Sequence, residues 1–144
     1  MYLTMNSEAR KKILLVDDDE FFLEVERRFL ERSHFRLFTA RSGEEAIRVM
    51  REEDPDLILL DLYLPDMDGN EVTVRARAEG RVDLPIIIVS QEDRGEKIQE
   101  CKDAGCTDFL TKPIKIEELL EKVSTCLKEA TRSGTRFPAT VKIR

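Results

Sequence analysis

No apolar stretch in the 144-residue sequence approaches the ~20 residues of a membrane span. The opening segment, Met1 to Lys12, has no apolar core and is not a secretory signal. Cysteine is scarce. Cys101, Cys106 and Cys126 make an odd set without metal-ligand spacing and read as reduced cytosolic thiols. The phosphate-cradling patterns GxxxxGK(S/T) and GxGxxG are both missing, which argues against a nucleotide-binding loop. An excess of basic charge is missing too. With 24 Lys and Arg against 30 Asp and Glu, the formal charge is −6, and nucleic-acid phosphates would be repelled. Secreted, membrane, collagenous and zinc-finger classes are excluded.

The length suits one domain with a core large enough to need no disulfide or metal. Charged residues reach 38%, above the roughly 25% of an average domain, and read as solvated helix faces. The apolar residues fall in discrete runs. Ile13–Val16, Leu57–Leu60 and Ile86–Val89 are continuously apolar, as strands are when helices cover both faces of a parallel sheet. Arg36–Thr39 is shorter and reads as nearer an edge, and Asp108–Thr111 is the fifth run.

Helical patterns lie between the runs. Phe22, Val25, Phe29 and Leu30 recur at helical spacing. Ser42 and Glu45 form a capping box opening a helix that Asp54-Pro55 stops. A third helix is expected over Asn70–Ala78, and a fourth holds Ile98, Cys101 and Ala104 up to Gly105. The last carries a stripe of Ile116, Leu119, Leu120, Val123 and Leu127. Strict alternation of strand and helix predicts a flavodoxin-like (βα)5 α/β sandwich with a parallel sheet of order 2-1-3-4-5. The boundaries read as an N-terminal extension over residues 1–10 and the domain over 11–130. Residues 131–144 read as a linker running into the start of a truncated output domain.

Ligands in such sheets bind beyond the carboxyl ends of the strands. Asp17, Asp18 and Asp19 follow the first run, Asp61 ends the third, Ser90 follows the fourth and Lys112 follows the fifth. Crowded carboxylates favour a hard divalent cation, and Mg2+ takes oxygen ligands of this kind. Asp61 can act as a nucleophile, because carboxylates form acyl phosphates. Lys112 and Ser90 would hold phosphoryl oxygens. Asp19 reads as the cap of the next helix. His34 reads as a solvated loop residue rather than a phosphodonor.

The chain resembles a receiver domain of the bacterial two-component response regulators. The resemblance is carried by Val16-Asp17-Asp18-Asp19, by Leu60-Asp61 through Pro65 to Asp68-Gly69, by Ile88-Val89-Ser90, and by Gly105 through Phe109 to Lys112-Pro113. It implies that Asp61 is the phosphoacceptor, loaded by a histidine kinase or phosphotransfer protein. It implies a Mg2+ site of Asp17, Asp18, Asp61 and Tyr63, with Asp18 holding the ion directly, Asp17 largely through water, and Tyr63 through its backbone carbonyl. Ser90 matches the switch hydroxyl, Lys112 the essential lysine, Phe109 the switch aromatic and Pro113 a cis proline. A cytoplasmic signalling switch follows, not an enzyme acting on another substrate. Its face of fourth helix, fifth strand and fifth helix would control a partner, an output domain or a second copy in a homodimer.

Gln91 stands where the family mostly has a small residue, and Tyr63 is bulky beside the acceptor. Both bear on rates. A pseudo-receiver that only binds protein is the alternative. A haloacid-dehalogenase-like phosphohydrolase is disfavoured, because Tyr63 occupies the place of its second aspartate. Phe137–Ile143 resembles the start of a PilZ-type cyclic-dinucleotide-binding domain.

Overall fold

The computed structural model describes residues 10–132. Residues 1–9 of the expected extension and the tail from residue 133, including the PilZ-like segment, lie outside the described residues. Five strands alternate with five helices: β1 (Lys12–Val16), α1 (Glu20–Leu30), β2 (Arg36–Ala40), α2 (Gly43–Glu53), β3 (Leu57–Asp61), α3 (Gly69–Ala78), β4 (Ile86–Ser90), α4 (Gly95–Ala104), β5 (Asp108–Thr111) and α5 (Ile116–Arg132). A 3-10 turn, Glu31–Ser33, follows α1 and ends at His34 in the left-handed region (φ 61°). All strand pairs are parallel, in the expected order β2-β1-β3-β4-β5.

The continuous apolar runs are explained by two cores. Leu14, Val16, Ile58, Leu60, Ile86 and Ile88 point into the layer of α2, α3 and α4. Their neighbours Ile13, Leu15, Leu57, Leu59, Ile87 and Val89 point into the layer of α1 and α5. Side chains alternate across a pleated strand, so a strand covered on both faces needs an apolar residue at every position. Edge strand β2 is only half-buried along most of its length.

The helix boundaries follow local chemistry. Asp19 caps α1 by accepting from the Phe21 N–H (2.9 Å), and Asp68 caps α3 by accepting from Glu71 (2.9 Å). Ser42 caps α2 through the Glu45 N–H (3.1 Å), but the Glu45 carboxylate reaches back to the Arg41 N–H (2.8 Å), one residue before the cap. Asp54 takes a left-handed conformation (φ 51°) ahead of Pro55 and ends α2. Gly105 (φ 110°) ends α4.

Two helix faces differ from the periodicity. The buried face of α1 is Leu23, Glu26 and Leu30, with Phe22, Val25 and Phe29 flanking it half-buried. In α5, Ile116 is exposed, and Cys126 joins Leu119 and Val123 in the core. Helix α5 enters the layer after its first turn, which leaves Ile116 outside. All three cysteines are free thiols.

Candidate functional site

The parallel register brings the carboxyl ends of β1, β3, β4 and β5 to one edge of the sheet. They surround a cleft of about 400 Å³ lined by Asp17, Asp18, Asp61, Ser90 and Lys112, with Tyr63 and Gln91 at its rim. The approach of α3 to the end of β3 depends on Gly69. A Cβ there would lie 2.7 Å from the Asp61 carbonyl oxygen, so any side chain would displace the backbone beneath the carboxylate. The Gly69 N–H donates to the Leu62 carbonyl (2.6 Å), which turns the chain directly after Asp61.

Lys112 enters from the end of β5, where its N–H donates to the Ser90 carbonyl (2.8 Å) and its peptide bond to Pro113 is cis. Its ammonium lies 2.9 Å from Asp17 Oδ2 and 3.4 Å from Asp61 Oδ1. It also sits 4.0 Å from the centroid of the Phe22 ring, whose face attracts a cation. Burial works against the Lys112 charge, but the bond to Asp17 and the charges of Asp61 and Asp17 outweigh it and hold the pKa above its usual value.

Asp17 is buried and both its oxygens are engaged, Oδ1 by the Asp19 N–H (2.9 Å) and Oδ2 by Lys112. Asp18 is exposed and faces solvent at the cleft. Asp61 is nearly buried. That burial, with the charge of Asp17, pushes its pKa up to about 6 against the opposing pull of Lys112. One carboxylate oxygen from each of Asp17, Asp18 and Asp61 lies within 4.8 Å of the others. Three hard oxygen donors and room for water suit Mg2+, which binds through few carboxylates and keeps part of its hydration. The donor set fits that ion.

Ser90 is buried, and its hydroxyl accepts from the Glu92 N–H (3.0 Å). Tyr63 is 52% exposed at the mouth. Its hydroxyl donates to the Glu92 carboxylate, and the Lys97 ammonium stands 5.9 Å from its ring centroid. Gln91 is exposed beside it. Phe109 is half-buried against the α2-α3-α4 core, on the far side of β4 from Asp61.

Residues 13–124 match the family of response regulator receiver domains. The chain belongs to that family. The receiver is 36% identical over 120 residues to response regulator MprA of Mycolicibacterium vanbaalenii, covering 83% of this chain and 52% of the relative. It is 36% identical over 120 residues to the alkaline phosphatase synthesis transcriptional regulatory protein PhoP of Bacillus subtilis, covering 83% of this chain and 50% of the relative. The receiver thus spans about half the length of these curated relatives. Among solved structures, a CheY-like receiver domain protein of Methanospirillum hungatei superposes with a TM-score of 0.81 at 30% identity, covering 87% of this chain and 99% of that one. A response regulator structure from Chloroflexus aurantiacus gives 0.79 at 29% identity, covering 83% and 98%. These likenesses place the chain among two-component signalling domains. No helix among the described residues is long and apolar enough to cross a membrane.

Every residue expected at the site lines this sheet edge, except Phe109 and Pro113, which flank it. Three participants were missed. Helical spacing assigns Phe22 to the core alone, yet its ring seats the Lys112 ammonium. Glu92 links Ser90 to Tyr63 through a loop without periodicity. Glu26 is a buried carboxyl on α1 whose Oε1 has no hydrogen-bond partner among the described residues. Its burial first, then the charge of Asp17, pushes its pKa up to about 8. A Glu three residues after Leu23 and four before Leu30 was the available signal.

Proposed function

We propose that this receiver takes a phosphoryl group onto Asp61 from a phosphohistidine of a sensor histidine kinase or phosphotransfer protein. The observation that carries the reading is the Lys112 ammonium shared between Asp17 (2.9 Å) and Asp61 (3.4 Å), beside three carboxylates that can converge on one cation. A structural ion pair alone would not need the third carboxylate, Asp18, exposed at the mouth.

Asp61 attacks phosphorus through a carboxylate oxygen. A P–O bond forms as the donor P–N bond breaks, and the leaving imidazole keeps the bonding pair and takes up a proton. Bound Mg2+ supplies positive charge to the carboxylates and the phosphoryl oxygens. Asp18, Asp61 and the Tyr63 carbonyl would hold it, and Asp17, whose oxygens accept from the Asp19 N–H and Lys112, would hold it largely through water. Lys112 slides from its bond with Asp61 to a phosphoryl oxygen. Ser90 releases the Glu92 N–H and donates its hydroxyl to another. Catalysis here is positioning and electrostatics, and it acts only on this chain's own phosphorylation and dephosphorylation.

The phosphoryl group adds about −1.5 to −2 charges, so its effect reaches the loop after β4. Movement of Ser90 opens space below that loop, Phe109 follows it inward, and the face of α4, β5 and α5 is remodelled. That face then controls an effector, an output domain, or a second copy in a homodimer. The working site is the bacterial cytoplasm, where the kinase presents its phosphohistidine.

Incubation with acetyl phosphate and Mg2+ tests the reading. Wild type gains one phosphoryl group, and neither Asp61→Asn nor wild type in excess chelator gains any. Equal labelling of Asp61→Asn removes the assignment.

A further inference from the structure

The first turn of α2 lies outside the cleft, yet it is tied to two parts of the site by side chains that the phosphoryl chemistry does not use. The leading N–H groups of a helix have no partner within the helix. In α2, Ser42 satisfies only that of Glu45 (3.1 Å). The N–H groups of Gly43 and Glu44 are taken by Asp66 Oδ1 and Oδ2, at 2.8 and 2.9 Å, from the loop between β3 and α3. These two bonds hold the Asp66 carboxyl below its usual pKa. The next loop residue seals the join. A Cβ on Gly43 would fall 2.3 Å from Met67 Cγ, so Met67 rests directly on the α2 backbone.

The residue just before the cap reaches the other side of the site. Arg41, whose N–H is fixed by Glu45 (2.8 Å), donates Nη2 to the Asp18 carbonyl (3.2 Å) and pairs with Glu20 in the first turn of α1. Asp18 and the loop bearing the Tyr63 carbonyl are therefore braced by one element. Inside the loop an antiparallel bridge, Tyr63 with Asp68, joins the two arms beside the Gly69 N–H bond to the Leu62 carbonyl (2.6 Å).

We propose that Asp66 and Arg41 are positioning residues of the metal site, holding the Tyr63 loop and the Asp18 backbone in register through the first turn of α2. The proposal rests on the reading of the cleft as a Mg2+-dependent phosphoacceptor. Supports of this kind act on affinity, because a ligand that must be re-ordered on binding costs entropy that a braced one does not.

The test uses amide NMR on the chain with Mg2+ alone and no phosphodonor. In wild type, Mg2+ shifts the amides of Asp18 and Leu62–Tyr63. In Asp66→Ala the dissociation constant for Mg2+ rises roughly tenfold, the low end for removal of a group supporting a metal ligand. Exchange of the amides from Leu62 to Asp68 quickens in the metal-free protein. Asp66→Asn, which keeps one acceptor oxygen, retains most of the wild-type behaviour. Arg41→Ala weakens Mg2+ by roughly threefold, as loss of one exposed hydrogen bond would. If Asp66→Ala melts earlier but keeps wild-type loop exchange and Mg2+ affinity, Asp66 merely caps α2 and the proposal is overturned. A wild type without any Mg2+ shift removes the reading of the cleft itself, and the bracing role with it.

Discussion

Glu26 should make the fold pH-sensitive above the range in which Asp61, the other carboxyl with a raised pKa, titrates. The residue is 2% exposed, one carboxyl oxygen lacks a partner among the described residues, and its pKa is raised from 4.5 to about 8. Between those values the folded state keeps a proton that the unfolded chain releases. Stability is therefore greatest at low pH and falls as pH rises, at about 1.4 kcal/mol per unit. Asp61 acts in the same sense, but its raised value of about 6 confines most of its share to lower pH. From pH 6 to pH 8 the loss attributable to Glu26 is then about 2 kcal/mol, a sizeable part of the 5–15 kcal/mol of a typical domain. With a urea slope of about 2 kcal/mol per molar, the midpoint should drop by about 1 M. The assay is urea denaturation in chelator at both pH values, for wild type, Glu26→Gln and Glu26→Leu. Both variants should lose most of the pH dependence, and Glu26→Leu should be the more stable at pH 8. A wild-type slope persisting in both variants would refute the assignment of the titration to Glu26.

Asp18→Ala should weaken Mg2+ binding more than Asp19→Ala, since Asp19 Oδ1 is committed to the Phe21 N–H (2.9 Å). Equal losses in a metal titration would contradict that division. Ser90→Ala should keep phosphorylation of Asp61 but lose the amide shifts around Phe109 and α4. A charge-assisted bond is worth ~1.5–3 kcal/mol, against the roughly 5.5 kcal/mol needed to turn a switch from 1:99 to 99:1. Full wild-type shifts with beryllium fluoride would show that the hydroxyl is not the trigger. Tyr63→Ala and Gln91→Ala should each speed loss of the phosphoryl group several-fold in a timed assay, because both residues line the path of a hydrolytic water. Unchanged or slower loss would count against steric shielding.

The layered fold was legible because its strands obey a simple rule. Ile13–Val16, Leu57–Leu60 and Ile86–Val89 are apolar at every position, and only a sheet covered on both faces demands that. Three such runs and two shorter, less apolar ones, separated by helical patterns, leave little topological choice. Strand-end chemistry was legible for the same reason: once the strands are parallel, Asp17, Asp61, Ser90 and Lys112 must share an edge. Helix facing was less legible. Phe22 and Phe29 drew the apolar stripe of α1 to one side, while the buried face runs through Leu23 and Glu26. A charged residue on a core face breaks the pattern that periodicity reads. Loop contacts were the least legible. The links of Glu92 to Ser90 and Tyr63, and of Asp66 to α2, join segments with no repeating pattern and depend on the folded positions of two elements at once.

The central claim is that Asp61 itself carries the phosphoryl group. The most direct measurement traps the product of acetyl phosphate and Mg2+ with borohydride, which reduces an aspartyl phosphate to homoserine, and maps the modified residue by peptide mass spectrometry. The account predicts homoserine at position 61 and nowhere else. Homoserine at 17 or 18, or label that resists borohydride, would contradict it.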